Sequence, residues 1–94
     1  MAQATVLAAG TTADTSTDIT VAAGESVTVA LFADTATILP AGVQFLVVQD
    51  TPGADNVIAR LGQQSRATVL SAPGTYRVIR PAFDGDGFGV FTES

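Results

Sequence analysis

The chain has 94 residues, of which 47% are hydrophobic and only 14% are charged, and its formal net charge is −5. This length predicts a single domain, and so apolar a composition is not typical of a disordered polypeptide. The four cationic side chains are outnumbered by nine acids, which excludes an electrostatic mode of nucleic-acid binding. Because cysteine and histidine are absent, disulfides and thiolate or imidazole metal sites are excluded as well.

The low charge indicates that part of the surface is buried against other protein. A small domain has a large surface for its volume, and this chain has few charges with which to coat it. Large exposed apolar patches usually mark an interface, so we expect a homo-oligomer, either a dimer or a trimer. The alternative is a monomer coated with threonine and alanine.

Export and membrane signals are not apparent in the sequence. A signal peptide needs a basic segment followed by an apolar core, and the N-terminal residues have neither. No apolar run approaches the about 18 residues of a membrane span. We therefore expect a chain that is used without secretory export and has no membrane partner.

The N-terminal part combines a threonine-rich segment with two predicted strands. Residues 1–16 are expected to form an arm or an edge strand, and residues 17–94 a single β-sandwich domain. Strands over 18–21 and 26–32 are expected to form a hairpin through a tight turn at Gly24. Apolar and polar residues alternate along both strands, which is typical of strands with one buried face. The residues predicted to face the core are Ile19, Val21, Val27, Val29 and Leu31.

Five further strands are predicted between turn signals in the rest of the chain. Segment 43–49 is apolar on both faces and is expected to be a central strand, which ends at a turn containing Pro52. The other predicted strands are 56–61, 67–70, 75–80 and 88–92. The predicted core residues of these strands are Phe45, Val47, Val57, Leu61, Val69, Tyr76, Val78, Phe88 and Val90.

Regularly spaced turns between short strands, about seven or eight in number, predict an all-β protein. An antiparallel β-sandwich and a jelly-roll-like small barrel both fit this pattern, and the pattern does not determine the order of the strands. Because the connections are short, consecutive strands are expected to pair antiparallel.

Few residues of this chain can perform acid–base or nucleophilic chemistry. Histidine, cysteine and lysine are absent, and the chain has one tyrosine. Most carboxylates lie in predicted turns, where they hold the turn by hydrogen bonds. The sequence therefore predicts no catalytic residue, no cofactor and no enzyme activity.

The string DGDG at 84–87 is the one segment with the character of a metal site. Acids that alternate with glycines can surround a hard cation with oxygen ligands, which makes Asp84 and Asp86 candidate ligands. The acid that closes a complete calcium loop is missing. A turn stabilised by the backbone preferences of Asp and Gly explains the string as well, and we favour that interpretation.

Strand phase also nominates residues for an interface with another chain. Phe32 and Phe91 are out of phase with their core-facing neighbours, and Arg77 and Arg80 are expected on opposite faces of one strand. Arg77 could pair with an acid of another subunit or of its own chain, and charge counting does not separate the two. The interface candidates are Phe32, Ile38, Leu46, Arg77 and Phe91.

Three segments together carry a resemblance to a known group of proteins: 20–29 (TVAAGESVTV), 39–55 (LPAGVQFLVVQDTPGAD) and 72–81 (APGTYRVIRP), closed by GVFTE at 89–93. The whole chain resembles small structural proteins that tailed bacteriophages encode near their capsid genes. This resemblance implies a virion component, specifically a capsid decoration (cement) protein that sits on the shell as dimers or trimers. It implies the major capsid protein or other virion proteins as partners, assembly in the host cytoplasm, and a final location on the capsid surface.

Two other functions stay open from the sequence. A tail, fibre or head–tail connector module is a different virion role with the same resemblance. A small β-sandwich that binds a glycan or calcium belongs to another class, although a chain without tryptophan offers a poor platform for sugars. Within the decoration reading, residues 1–16 are expected to form an arm that orders on the capsid.

Overall fold

The chain folds into two antiparallel sheets that pack face to face. The structure, a computed structural model, describes residues 3–34, 39–85 and 87–94. Within these residues there are nine strands and no helix, so there is no helix that could cross a membrane. The prediction of an all-β antiparallel sandwich is confirmed.

The strands divide between a four-stranded sheet A and a five-stranded sheet B. Their bounds are β1 (Gln3–Gly10), β2 (Asp14–Thr15), β3 (Ile19–Val21), β4 (Val27–Ala33), β5 (Gln44–Gln49), β6 (Asn56–Gly62), β7 (Ala67–Leu70), β8 (Gly74–Arg80) and β9 (Phe88–Glu93). Sheet A has the order β1-β9-β4-β7. Sheet B has the order β2-β8-β5-β6, and β3 also pairs with β8.

The path of the chain through the two sheets is that of a jelly roll. The strands β2 and β3 lie one after the other along β8, so they act as one interrupted strand. Apart from this interruption and the β5–β6 hairpin, every connection passes from one sheet to the other. Two four-membered sheets connected in this way form the double Greek key of the jelly roll.

The core lies between the sheets and consists almost entirely of aliphatic and aromatic side chains. Every residue predicted for the core is buried except Val57 and Val69. Leu7, Leu39 and Leu70 are also buried in the core, although the sequence pattern did not single them out.

Val57 was predicted for the core and is instead 43% exposed, because β6 contains a bulge. Val47 pairs with Ala59, but the next residue of β5, Val48, pairs with Val57. Ile58 is therefore an extra residue in β6. An extra residue shifts the alternation of a strand by one, so Val57 leaves the core-facing phase set by Leu61.

Val69 was also predicted for the core and is 60% exposed. Val27 of β4 pairs with Leu70 of β7, and Thr28 pairs with Val69. Directly paired residues lie on the same face of the sheet, so Leu70 faces the core because its partner Val27 does. Val69 therefore lies on the outer face beside Thr28.

The predicted hairpin between 18–21 and 26–32 is wrong, and the expectation that consecutive strands pair antiparallel holds only for β5 and β6 among the strands of the described residues. Gly24 does form a turn with φ 80°, and the Glu25 amide donates to the Ala22 carbonyl at 3.0 Å. This turn leads from sheet B to sheet A, however, since β3 pairs with β8 and β4 pairs with β7 and β9. An alternating strand buries the same face whether its chain neighbour lies beside it or across the core, so the pattern cannot separate the two cases.

Candidate interaction surfaces

The outer face of sheet A carries two partly exposed phenylalanines. Phe32 comes from β4 and Phe91 from β9, the two central strands of the sheet. Their inward-facing neighbours Leu31 and Val90 are buried and pair with each other, which turns both phenylalanines outward. The two rings meet edge to face, with centroids 6.1 Å apart and an interplanar angle of 70°, a favourable aromatic geometry.

Gly89 makes room for this ring pair. It is the direct partner of Phe32 in the β4–β9 pairing. A Cβ atom at position 89 would lie 2.8 Å from Cε1 of Phe32, closer than side-chain carbons approach each other. The glycine therefore allows the Phe32 ring to lie against the backbone of β9.

The phenylalanines and the first residues of β1 line a shallow groove. Its walls are Phe32, Phe91 and residues 3–5, and Thr5 pairs directly with Phe91. At the rim, the Gln3 side-chain amide donates to the Glu93 carboxylate at 3.2 Å. We call this surface the Phe32–Phe91 groove. It combines an apolar floor with a polar rim, an arrangement typical of protein interfaces.

Arg77, another interface candidate, lies on the outer face of sheet B among three carboxylates of its own chain. Its Nε donates to Asp18 at 2.9 Å and its Nη1 to Asp55 at 2.7 Å, and its Nη2 lies 3.5 Å from Asp50. The hydrogen bond with Asp18 and the charges of all three acids raise the pKa of Arg77. We call these four residues the Arg77 cluster. Because three acids share one guanidinium, the cluster carries a net negative charge.

Leu46, also an interface candidate, lies on the same outer face and is partly buried. It pairs with Ile79 of β8 and, with Ile79 and Pro81, lines a second shallow depression. Ile38 lies outside the described residues. The structure therefore places Phe32 and Phe91 together on sheet A, and Leu46 and Arg77 on sheet B.

The DGDG string lies in the connection between β8 and β9. Asp84 is exposed and Gly85 has φ 120°, a backbone conformation that favours glycine. Asp86 lies outside the described residues. Within the residues that the structure describes, no three acids are arranged as a metal site.

Arg80 is a structurally important residue that the sequence analysis did not single out as such. It is 3% exposed, on the core-facing side of β8, and lies on the opposite face from Arg77. The signal was present in the sequence, since Arg80 continues the alternation of the core residues Tyr76 and Val78. An arginine in that phase must find hydrogen-bond acceptors inside the protein.

Comparison with known proteins assigns no family to the chain. No family model, no curated protein and no solved structure matches it.

Proposed function

We propose that this chain is a non-enzymatic structural protein of a tailed-phage virion, a capsid decoration protein that docks on the shell through its Phe32–Phe91 groove. The observation that carries the proposal is the edge-to-face contact between the rings of Phe32 and Phe91 on the outer face of sheet A. Aromatic rings that remain accessible on a small domain favour a protein partner, because covering them removes apolar surface from water.

The position of the groove suits attachment to a regular lattice. Phe32 and Phe91 lie on strands that are paired on both sides, so their backbones are held within sheet A. The edge-to-face contact further limits the rotation of both rings. A surface that is already ordered loses little conformational entropy on docking, and it presents the same shape to every copy of its partner.

The fold is compatible with this proposal but does not by itself identify the function. Jelly rolls occur in viral capsid proteins, but also in lectins and cupins, so the fold is compatible with several functions. The resemblance to phage structural proteins favours the virion among them. The major capsid protein or another virion protein is then the partner, and the capsid surface is the location.

Reconstitution on virus particles tests the proposal. Particles of the phage that encodes the chain, prepared without this protein, are mixed with the purified protein and sedimented. We expect wild-type protein to saturate the particles and the double variant Phe32→Ser, Phe91→Ser to remain in the supernatant. The control variant Ile79→Ser alters a partly buried residue on the opposite face and should bind like wild type.

Two results would contradict the proposal. Equal binding by the wild-type and groove variants would show that the groove is not the docking surface. A thermal shift with glycans or calcium that the groove variants lose, without any binding to particles, would favour the ligand-binding module instead.

A further inference from the structure

Strand β6 forms an edge of sheet B. It pairs with β5 on one side, and no strand among the described residues pairs with its other side. An unpaired edge presents a row of backbone N–H and C=O groups that can pair with another strand. Natural edges are often protected by lysine, by proline or by a bulge. Strand β6 contains no lysine or proline, and its bulge is confined to Ile58, so the backbone on either side of this residue can still pair.

The free edge of β6 also carries exposed apolar side chains. Val57 and Ile58 are 43% and 42% exposed, and the only other large hydrophobic residue exposed to this degree in the described part of the chain is Val69 of sheet A. The bulge takes Val57 out of the core, and Ile58, the extra residue, is exposed like Arg60 two positions further along the strand. Apolar side chains next to unpaired backbone groups favour association through that edge.

The two ends of β6 carry opposite charges. The Arg77 cluster, with its net negative charge, includes Asp50 and Asp55 from the connection that leads into β6. Arg60 lies toward the other end, where it is exposed and has no ion-pair partner among the described residues. Two copies of β6 side by side would bring these opposite charges together when antiparallel, and like charges together when parallel.

We propose that two copies of this chain pair through the free edges of β6, antiparallel and about a two-fold axis close to Ile58. Sheet B then continues across the dimer, and each Arg60 lies near the Arg77 cluster of the other copy. A two-fold dimer uses the same surface of both subunits, which requires a self-complementary strand such as this one.

The dimer has a consequence for docking, and in this respect the inference rests on the proposed function. A two-fold axis that relates antiparallel strands of one sheet is perpendicular to that sheet. Sheet A packs on sheet B, so the outer faces of both sheet A copies point to the same side of the dimer. The two Phe32–Phe91 grooves can then engage the shell together, which strengthens attachment without a new contact.

Cysteine cross-linking tests the pairing directly, because the chain has no cysteine of its own. Opposite residues of antiparallel strands have Cα atoms about 4.5–5.5 Å apart, within the range that a disulfide bridges. The variant Ile58→Cys should therefore form a covalent dimer under mild oxidation. The matched control Val69→Cys places an exposed cysteine on an edge strand of the other sheet and should form no covalent dimer.

Sedimentation equilibrium across a dilution series provides the second measurement. Wild type should be a dimer, and Ile58→Glu should raise its dissociation constant by about thirtyfold or more, the effect of a central interface residue. Arg60→Glu should weaken the dimer in low salt and much less in high salt, since its effect is electrostatic. Val69→Glu should dissociate like wild type.

A monomeric wild type, a dimer that Ile58→Glu leaves intact, or equal cross-linking at positions 58 and 69 would overturn the inference. A different result would show that the proposed function is wrong while the dimer is right. In that case the β6 dimer forms as described, yet neither the dimer nor the monomeric Ile58→Glu variant binds particles at any concentration.

Discussion

At the scale of single residues, Arg80 shows how the fold uses a charge inside its core. Its Nε donates to the Thr12 carbonyl at 2.7 Å, and its Nη1 donates to the Ala8 carbonyl at 2.7 Å and the Phe88 carbonyl at 3.0 Å. These acceptors belong to β1, the connection after it, and β9. A buried guanidinium is tolerated only when it is hydrogen-bonded, and here its bonds join the N-terminal segment to the sandwich.

Replacement of Arg80 should destabilise the protein strongly. Arg80→Met removes the donor of three carbonyls, one of them on the buried Phe88, and takes away the bonds that join β1 and the connection after it to the sandwich. We therefore expect the free energy of unfolding to fall by about 2–4 kcal/mol. Arg80→Lys should recover little, because an ammonium group cannot present the planar fork of arginine. Denaturant unfolding in dilute solution measures both. The control Gln64→Met changes an exposed residue of the connection between β6 and β7. Unfolding of Arg80→Met at the same denaturant concentration as this control would contradict the structural role of Arg80.

Gly89 supports a close approach between backbones, and this leads to a second prediction. A Cβ atom at this position would collide with the Leu7 carbonyl and lie 2.8 Å from the Ala9 amide nitrogen. Gly89→Ala should therefore lower the free energy of unfolding by about 1–3 kcal/mol, as overpacking does. Gly53→Ala is the control, since nothing lies within 4 Å of its added carbon. Equal stabilities of the two variants would show that β1 does not pack against β9 as described.

At the scale of elements, the N-terminal segment is a strand of the sheet over most of its length. Residues 3–10 form β1, which pairs with β9 along its length and places Leu7 in the core. The Thr17 amide also donates to the Val6 carbonyl at 3.0 Å. We therefore expect this segment to contribute to folding before any partner is bound.

Removal of residues 1–12 should therefore impair the fold itself. The deletion takes Leu7 from the core and leaves one edge of β9 without a partner, so we expect a lower melting temperature and loss of a sharp transition. Circular dichroism against temperature measures this. Deletion of Ser94, an exposed terminal residue, is the control. A truncated chain that melts like wild type would instead favour an arm that is not needed for folding.

The strands themselves could be predicted from the sequence, but their partners could not. Alternation of apolar and polar residues identifies a strand and its buried face, which is why the core residues of β3, β4 and β8 are confirmed. Strand pairing depends on contacts between segments that are distant in the sequence. The local sequence around Gly24 therefore could not show that the chain passes there from sheet B to sheet A. The bulge at Ile58 likewise depends on the register between β5 and β6, and it displaced Val57 from its predicted place.

The sequence predicted which side chains lie on the outer faces of the sheets, but not what they contact. Strand phase alone placed Phe32, Phe91 and Leu46 on outer faces, where the structure has them. The partners of Arg77 could not be predicted, because its three acids lie on connections that only the folded topology brings together. The phase of β8 identifies Arg80 as inward-facing. Its acceptors are backbone carbonyls, which every residue has, so the sequence could not show which residues bind it.

At the scale of the whole molecule, two surfaces with different characters lie on different parts of the sandwich. The Phe32–Phe91 groove lies on the outer face of sheet A, and the free edge of β6 belongs to sheet B. Separate surfaces allow docking on a shell and association with a second copy at the same time. Under the proposed function, the groove would dock on the shell and the β6 edge would join two copies, so that one dimer could engage two sites at once.

The proposed stabilisation of a capsid can be measured as the temperature at which particles release their DNA. Particles that lack the protein should release DNA at a lower temperature than wild-type particles. Added wild-type protein should restore the original temperature, and the Phe32→Ser, Phe91→Ser variant should not. Identical release temperatures with and without the protein, together with no protein bound to purified particles, would contradict the account.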